Sequence, residues 1–304
     1  MELPRIGIAP DSWGVWNAVD PKQPESERYL SEVRAAGYTY TELGPYGYLG
    51  LDPEVVAERI AGHGLVVSGG TVFTGLHKGS NGVDAYWDAV APVAAMTKAQ
   101  GAEHIIVIPE MWSRENEGTG AVTSPRTYTD EEWNHLAANH NELGKRLLEE
   151  FGLKQQFHSH AETPVGSYRE VSRLLNETDA RYLNLCLDTG HFAYYYGDNV
   201  RLVREFKERI GYVHLKQVEP NLLADVLKND ISFVEAVQQG VMVEPPYGVP
   251  EYGDILAEAN KYNPGIFAII EQDMYPLKDF AEPAKIAART KTYIENLGVP
   301  VQFN

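Results

Sequence analysis

A single cysteine, Cys186, in a chain of 304 residues rules out an internal disulfide framework and any cysteine-rich metal site. Basic residues are scarce as well: 26 Lys and Arg stand against 43 Asp and Glu, a formal net charge of -17. Such a chain is a poor partner for a nucleic-acid backbone, because proteins that grip phosphates concentrate positive charge. No apolar run approaches the roughly 20 residues that span a bilayer. The opening "MELPRIGIAP" lacks the basic segment and long apolar stretch of a secretion signal. A glycine-rich phosphate loop is missing too, since the first strand-like run leads into "APDSWG" without GxGxxG spacing. These absences leave a cytoplasmic enzyme or a soluble binding protein, with neither membrane nor nucleic acid as its partner.

What is present is repetition. Eight short apolar runs recur along the chain: "RIGIAP", "YTYTELG", "GLVVSGG", "HIIVIPE", "KQQFHSHAE", "NLCLDTGH", "GYVHLKQ" and "IFAIIEQD". Between them the sequence predicts helices near residues 25–36, 53–62, 84–100, 130–150, 168–176, 199–209 and 279–296, with a broken helical stretch over 231–260. Helix starts are signposted. Thr129 with Glu132 and Ser167 with Glu170 match the capping-box spacing, and Asp52 precedes a first-turn proline. Strands alternating with helices, and no low-complexity linker, predict one (β/α)8 TIM barrel over residues 1–304. Its two long connections, near 110–130 and 217–264, would lie on the C-terminal face, where active sites form.

Strand parity then gathers the ionisable residues. Asn184, Cys186 and Asp188 share the face opposite Leu183, Leu185 and Leu187. The leucines should meet the helices, so Asp188 should point into the barrel at its open end. The same alternation groups His158, His160 and Glu162 on the fifth strand, and Tyr212, His214 and Lys216 on the seventh. It groups Ile269, Glu271 and Asp273 on the eighth strand, and Tyr40 with Glu42 on the second. Several converging carboxylates cannot all stay ionised without a cation between them. One divalent metal ion held by Glu162, Asp188, His214 and Glu271 would supply it. That oxygen-rich set favours Mn2+ or Co2+ and also admits Mg2+ or Zn2+. The contrasting reading is a self-paired polar network in a metal-free binding protein.

Trp13, Glu42, Tyr46 and His77 fall in early loops over the same mouth, where an indole and a carboxylate could meet a polyol ring. Arg114 and Arg126 lie in the long fourth loop and could meet an anionic group. No phosphate cradle accompanies them, so an unphosphorylated polyol or keto-sugar is the expected small-molecule substrate.

"LDTGH", followed 26 residues after Asp188 by the histidine of "VHLKQ", carries a resemblance. The chain resembles the xylose-isomerase-like TIM-barrel superfamily, which includes endonuclease IV, ketose 3-epimerases and inosose dehydratases. "GIAPDSWG" and "ELGPYGYL" are similar to the inosose dehydratase branch. The resemblance implies the same four ligands, contact of His191 with a substrate oxygen, and a match of Lys216 to the lysine of a dehydratase-like "HLKD". Two departures stand out: Gln217 replaces the acid of that motif, and "HSHAETPV" carries Glu162 where the dehydratase branch reads "HPHMGT"-like sequence. In epimerase relatives the glutamates of the fifth and eighth strands act as bases. The implied activity is metal-dependent removal of water from a keto-polyol or keto-sugar through an enediolate. The alternative is a ketose 3-epimerase or aldose–ketose isomerase using the same metal. For proton transfer the candidates are Glu271, Glu162, His158, His160 and Lys216, with Glu271 as base and His160 or Lys216 assisting the leaving hydroxyl. A homo-oligomer, dimer or tetramer, is also implied.

Overall fold

The apolar runs become eight parallel strands: β1 Arg5–Ile8, β2 Tyr40–Thr41, β3 Val66–Val67 continuing as Gly69–Thr74, β4 His104–Pro109, β5 Lys154–His158, β6 Asn184–Asp188, β7 Ile210–Leu215 and β8 Phe267–Ile270. The computed structural model describes residues 2–116 and 118–304. The strands pair in sequence order from β3 round to β8, and β8 pairs with β1. Closure falls inside β3. Its first piece pairs with β2 and its second with β4, and the Ser68 N–H between them donates to Thr41 O at 2.8 Å. This is the single-domain (β/α)8 TIM barrel that the alternation predicts.

Helices pack around it: α1 Ser26–Ala35, α2 Pro53–Gly62, α3 Gly82–Ala99, α4 Asp130–Phe151, α5 Tyr168–Glu177, α6 Thr189–Tyr194, α7 Asn199–Phe206, α8 Pro220–Lys228, α9 Phe233–Gln239, α10 Gly253–Tyr262 and α11 Glu282–Glu295. The cap signals act as read. The Thr129 N–H donates to Glu132 Oε2 at 2.7 Å, the Ser167 N–H to Glu170 at 3.1 Å, and Asp52 accepts from Glu54 and Val55. The broken stretch over 231–260 resolves into α9 and α10. The six-residue α6 carries too few turns to show a period, and α8 is a helix within the 217–264 connection expected as a loop. None of the described helices is long and apolar enough to cross a membrane.

Parity sorts the core into two layers. Leu185 and Leu187 face the helices with Ile6, Ile8 and Val213, while Ala9, Ile106, Ile108, Cys186, Tyr212, Phe267 and Ile269 fill the barrel. Above that plug the inward positions turn polar, which is where the site lies.

Two histidines are spent on the frame. His104 lies against Tyr212 and Phe267 with Nδ1 3.0 Å from Gln156 Nε2, and His140 on α4 meets Gln155 Oε1 at 2.9 Å. Burial lowers both rings to about 4. The unfolded chain takes up these protons near pH 6.5, so unfolded protein binds more protons between 6.5 and 4. Stability present above pH 6.5 is therefore lost as pH falls towards 4, by about 3 kcal/mol per ring. Urea midpoints are expected to drop steeply from pH 7 to 4.5, and His140→Gln is expected to flatten that slope. An unchanged slope would place the acid sensitivity elsewhere.

Candidate metal centre

β5, β6, β7 and β8 each deliver one side chain to the barrel mouth. His158, Asp188, His214 and Glu271 bring one donor atom apiece to within 4.8 Å of one another. His158 Nε2 lies 3.3 Å from Asp188 Oδ2, and His214 Nδ1 lies 3.8 Å from the same oxygen and 3.0 Å from Glu271 Oε2. All four are buried or nearly so, with the Glu271 side chain 10% exposed.

The local sequence explains the aim of each group. Asp188 ends β6 and caps α6: its Oδ1 accepts the His191 N–H at 2.7 Å, which leaves Oδ2 facing the barrel axis group. His214 is oriented from behind, with Nε2 2.8 Å from Glu42 Oε1. Glu42 in turn accepts the Tyr212 hydroxyl at 2.9 Å and the Thr71 hydroxyl at 3.3 Å. A carboxylate behind a ring nitrogen fixes the opposite nitrogen for a ligand. Lys216 follows from "DTGH". Thr189 Oγ1 donates to Lys216 O at 2.7 Å, and a Cβ on Gly190 would come within 2.7 Å of the lysine stem. Only glycine lets α6 lie against it.

Lys216 then reaches the middle of the group. Its Nζ lies 2.9 Å from Asp273 Oδ2, 3.0 Å from Glu271 Oε2, 3.3 Å from Asp188 Oδ2 and 3.8 Å from Asp11 Oδ2. Burial opposes its charge, yet Asp188, Asp273 and Glu271 outweigh burial and hold the ammonium well above the ordinary range. Burial likewise opposes ionisation of Glu271, but His214 and Lys216 hold it well below the usual carboxylate range. For Asp11 burial wins, reinforced by Glu271, and its carboxyl is pushed well up.

The residues fit a divalent cation. Asp188 Oδ2, His214 Nδ1 and His158 Nδ1 are fully buried and make no hydrogen bond. Orphaned buried polar atoms are costly. Here a carboxylate oxygen and a ring nitrogen among them belong to one cluster of two nitrogens and two oxygens, a set that divalent transition metals take.

Several expected site residues are placed differently. Glu162 is not in the group: β5 ends at His158, and the chain turns at Glu162 with φ +57°. Alternation holds only while the backbone is extended, so its carboxylate swings to Arg114, at 2.6 Å, and His158 takes the place expected for it. Trp13 is fully buried; its indole N–H donates to Glu32 at 2.8 Å and its ring meets Tyr29 edge-on, under α1. The tryptophan at the mouth is Trp16, stacked 5.0 Å from Tyr275 and 6.4 Å from Phe233. Glu42 is 2% exposed and buttresses His214, Tyr212 and Thr71 instead of facing the mouth as a ring-hydroxyl acceptor. His77 stacks on Tyr128 at 4.4 Å in the loop after β3, apart from the group. Neither Arg114 nor Arg126 is free, since both pair with Asp230.

His160 and His191 do lie beside the group, rings 3.7 Å apart, with His191 Nε2 3.1 Å from Lys216 Nζ. Burial and His158 lower the His160 ring to about 3, so it is a neutral imidazole. Gln217 does not reach the group; it ties Pro250 O and the Gly248 N–H. Asp11, three residues beyond β1 in "APDSWG", also reaches the group, and its signal in the sequence is the one Asp188 carries, a charge near a strand mouth.

The sequence pattern of the family described as xylose isomerase-like TIM barrel matches residues 30–297. The chain is 25% identical over 307 residues to an inosose dehydratase of Mesomycoplasma hyopneumoniae (strain 7448), covering 96% of each chain. It is 30% identical over 250 residues to the rhizopine catabolism protein MocC of Rhizobium meliloti, covering 82% of this chain and 75% of that one. Among solved structures it shares the fold of the IolI protein with a bound zinc atom, at a TM-score of 0.68 and 16% identity over 95% of this chain and 97% of that one.

Proposed function

The chain belongs to the xylose isomerase-like TIM-barrel family, and on that footing we propose that it is a divalent-metal-dependent lyase. Its substrate would be an unphosphorylated keto-polyol or keto-sugar that loses water, with inosose the first candidate, as in the relative named inosose dehydratase. The observation that carries the choice is the capture of Glu162 by Arg114. Epimerase relatives use one glutamate from the fifth strand and one from the eighth as bases. Here Glu271 of the eighth has no such counterpart, and its neighbour is an acid, the Lys216 ammonium, 3.0 Å away. One base beside one proton donor suits elimination.

In this reading the Glu271 carboxylate removes the proton next to the ketone, and the Lys216 ammonium gives a proton to the hydroxyl one carbon further on. The hydroxyl departs as water while a carbon–carbon double bond forms. Glu271 is then protonated and Lys216 is an amine, and transfer between their adjacent atoms restores both. A divalent cation, when bound, supplies positive charge beside the ketone oxygen, where negative charge grows as the carbon loses its proton. Two nitrogens and two oxygens bring Zn2+ level with Mn2+ and Co2+ and make Mg2+ the poorer candidate; in the IolI protein the ion is zinc. With Arg114 and Arg126 engaged by Asp230, no guanidinium of that loop is left to meet a phosphate, which supports an uncharged substrate.

Incubation of Mn2+-loaded protein with inosose in D2O, followed by NMR, is expected to yield, with loss of one water, an unsaturated ketone whose enol hydroxyl tautomerises to a 1,2-diketone. Deuterium uptake without elimination would replace the lyase with an epimerase or isomerase. Silence from metal-loaded protein would remove inosose as the substrate.

A further inference from the structure

Arg114 is an unusual residue in this chain, a guanidinium whose side chain is only 1% exposed and which lies outside the metal centre. Its Nε and Nη2 both donate to Glu162 Oε1, at 2.9 and 2.6 Å, and Nη2 also donates to Asp230 Oδ1 at 3.1 Å. Nη1 donates to Asp230 O at 3.2 Å and to Gly120 O. Arg126 Nη2 also donates to both oxygens of the Asp230 carboxylate, at 2.7 Å to each, with its guanidinium over Trp112. The Trp112 backbone N–H donates to Glu162 O at 2.6 Å. One buried cation thus binds the loops after β4, β5 and β7.

Both carboxylate partners sit in the left-handed region, Glu162 at φ +57° and Asp230 at φ +52°. Non-glycine residues stay there when their surroundings over-determine them, and such strain gathers at functional sites. Burial pushes the Glu162 carboxyl up, and Arg114 followed by the Phe233 backbone N–H draws it back. Phe233, 2% exposed, opens α9, and its ring lies 5.0 Å from His160 and 5.3 Å from His191, with Trp16 on its outer side.

The geometry points to Arg114 and Glu162 as positioning residues that staple three loops into a cap and set Phe233 as the closing wall of the metal centre. This rests on the metal-dependent reading of the group. Arginine is needed at this place because one planar fork serves two carboxylates and two carbonyls, which an ammonium cannot do. The cap shields the metal centre from water, and its loosening gives the way in.

Co2+ alone is the probe, loaded into the full chain and into Glu162→Gln and Phe233→Ala. Three readouts apply: the Co2+ absorption spectrum, the rate of Co2+ loss to a chelator, and amide hydrogen exchange. Both variants are expected to keep the wild-type spectrum, because neither residue is a ligand, and to lose Co2+ at least about tenfold faster. In Glu162→Gln the amides of 230–240 are expected to exchange faster while those of β6 and β7 stay protected. Asp230→Asn, whose side chain is 51% exposed, is the milder cut and is expected to move the same way if Glu162→Gln does not fold. A changed spectrum in Glu162→Gln would make Glu162 a ligand and overturn the proposal. So would unchanged Co2+ loss in Phe233→Ala, or undisturbed exchange over 230–240 in the staple variants. If the wild type takes up no Co2+, the metal reading fails on its own, and the exchange data still decide the staple.

Discussion

Asp188→Asn is expected to leave the purified protein without stoichiometric divalent metal and without turnover. Asparagine matches aspartate in shape, and its carbonyl can still accept the His191 N–H that Asp188 Oδ1 now takes at 2.7 Å. The cap of α6 therefore survives. What changes is the second terminal atom. Oδ2, which makes no hydrogen bond and faces His158 and His214, becomes an amide NH2, a donor pointed at the place a cation would occupy. The loss of affinity should exceed the roughly 10- to 100-fold that contacts behind a ligand carry, which is the range expected for Glu42→Gln behind His214. Elemental analysis after dialysis against Mn2+ or Co2+ gives the ranking: Asp188→Asn empty, Glu42→Gln partly loaded, Glu162→Gln full. Metal absent from all three and from the wild type would show that the group is a self-paired network, and full loading of all three would place the metal elsewhere; either ends the metal reading of this group. A shared fall in circular dichroism would show instead that the polar cluster holds the fold.

The ranking also marks what could be read in advance. All eight strands were legible, because a strand buried between helices and barrel interior carries its apolar run whole. The inward aim of Asp188, His214 and Glu271 was legible too, since each lies within or directly after a strand. Parity failed where extension failed. Read to Glu162, the fifth strand yields a glutamate ligand; ended at His158, it yields a histidine. Nothing in "HSHAE" marks that stop, and Arg114, which holds Glu162 beyond it, lies 48 residues away in sequence. Trp13 and Trp16 show the same limit at shorter range. Gly14 between them takes φ +65° and turns the chain, sending Trp13 under α1 and Trp16 to the mouth. The staple itself joins residues up to 116 positions apart, a pairing with no local period to betray it. With Glu162 held by Arg114, one of the two departures from the dehydratase pattern is not a change of ligand. Gln217, now a tie to the 248–250 loop, accounts for the other.

Lys216→Met separates the two proton transfers. With metal removed, the ammonium is the cation nearest four carboxyl groups, 2.9 to 3.8 Å from Asp273, Glu271, Asp188 and Asp11. Its loss leaves those groups facing one another in a buried space, at a cost of about 3–5 kcal/mol in the stability of the metal-free protein. Asp11 and Asp273, already held above the usual carboxylate range by burial, would be the first to take protons. Added Mn2+ should restore more stability to the variant than to the wild type. The carboxylates that would hold the ion, Asp188 and Glu271, are approached by the ammonium at 3.3 and 3.0 Å, so removing Lys216 removes a competitor as well as a neighbour. A ligand at a hundred times its Kd contributes about 2.7 kcal/mol, which thermal melts with and without Mn2+ resolve easily. Activity should split the other way. Without the ammonium the hydroxyl lacks its proton donor, and elimination is expected to fall by about 10^2- to 10^4-fold. Glu271 remains, so exchange of the carbon-bound proton with D2O should persist. Exchange without elimination in Lys216→Met would assign the donor role to Lys216 and the base role to Glu271. Intact elimination would return the donor role to another group at the mouth, with Asp11, whose raised carboxyl lies within 3.8 Å of the lysine, as the next one to remove.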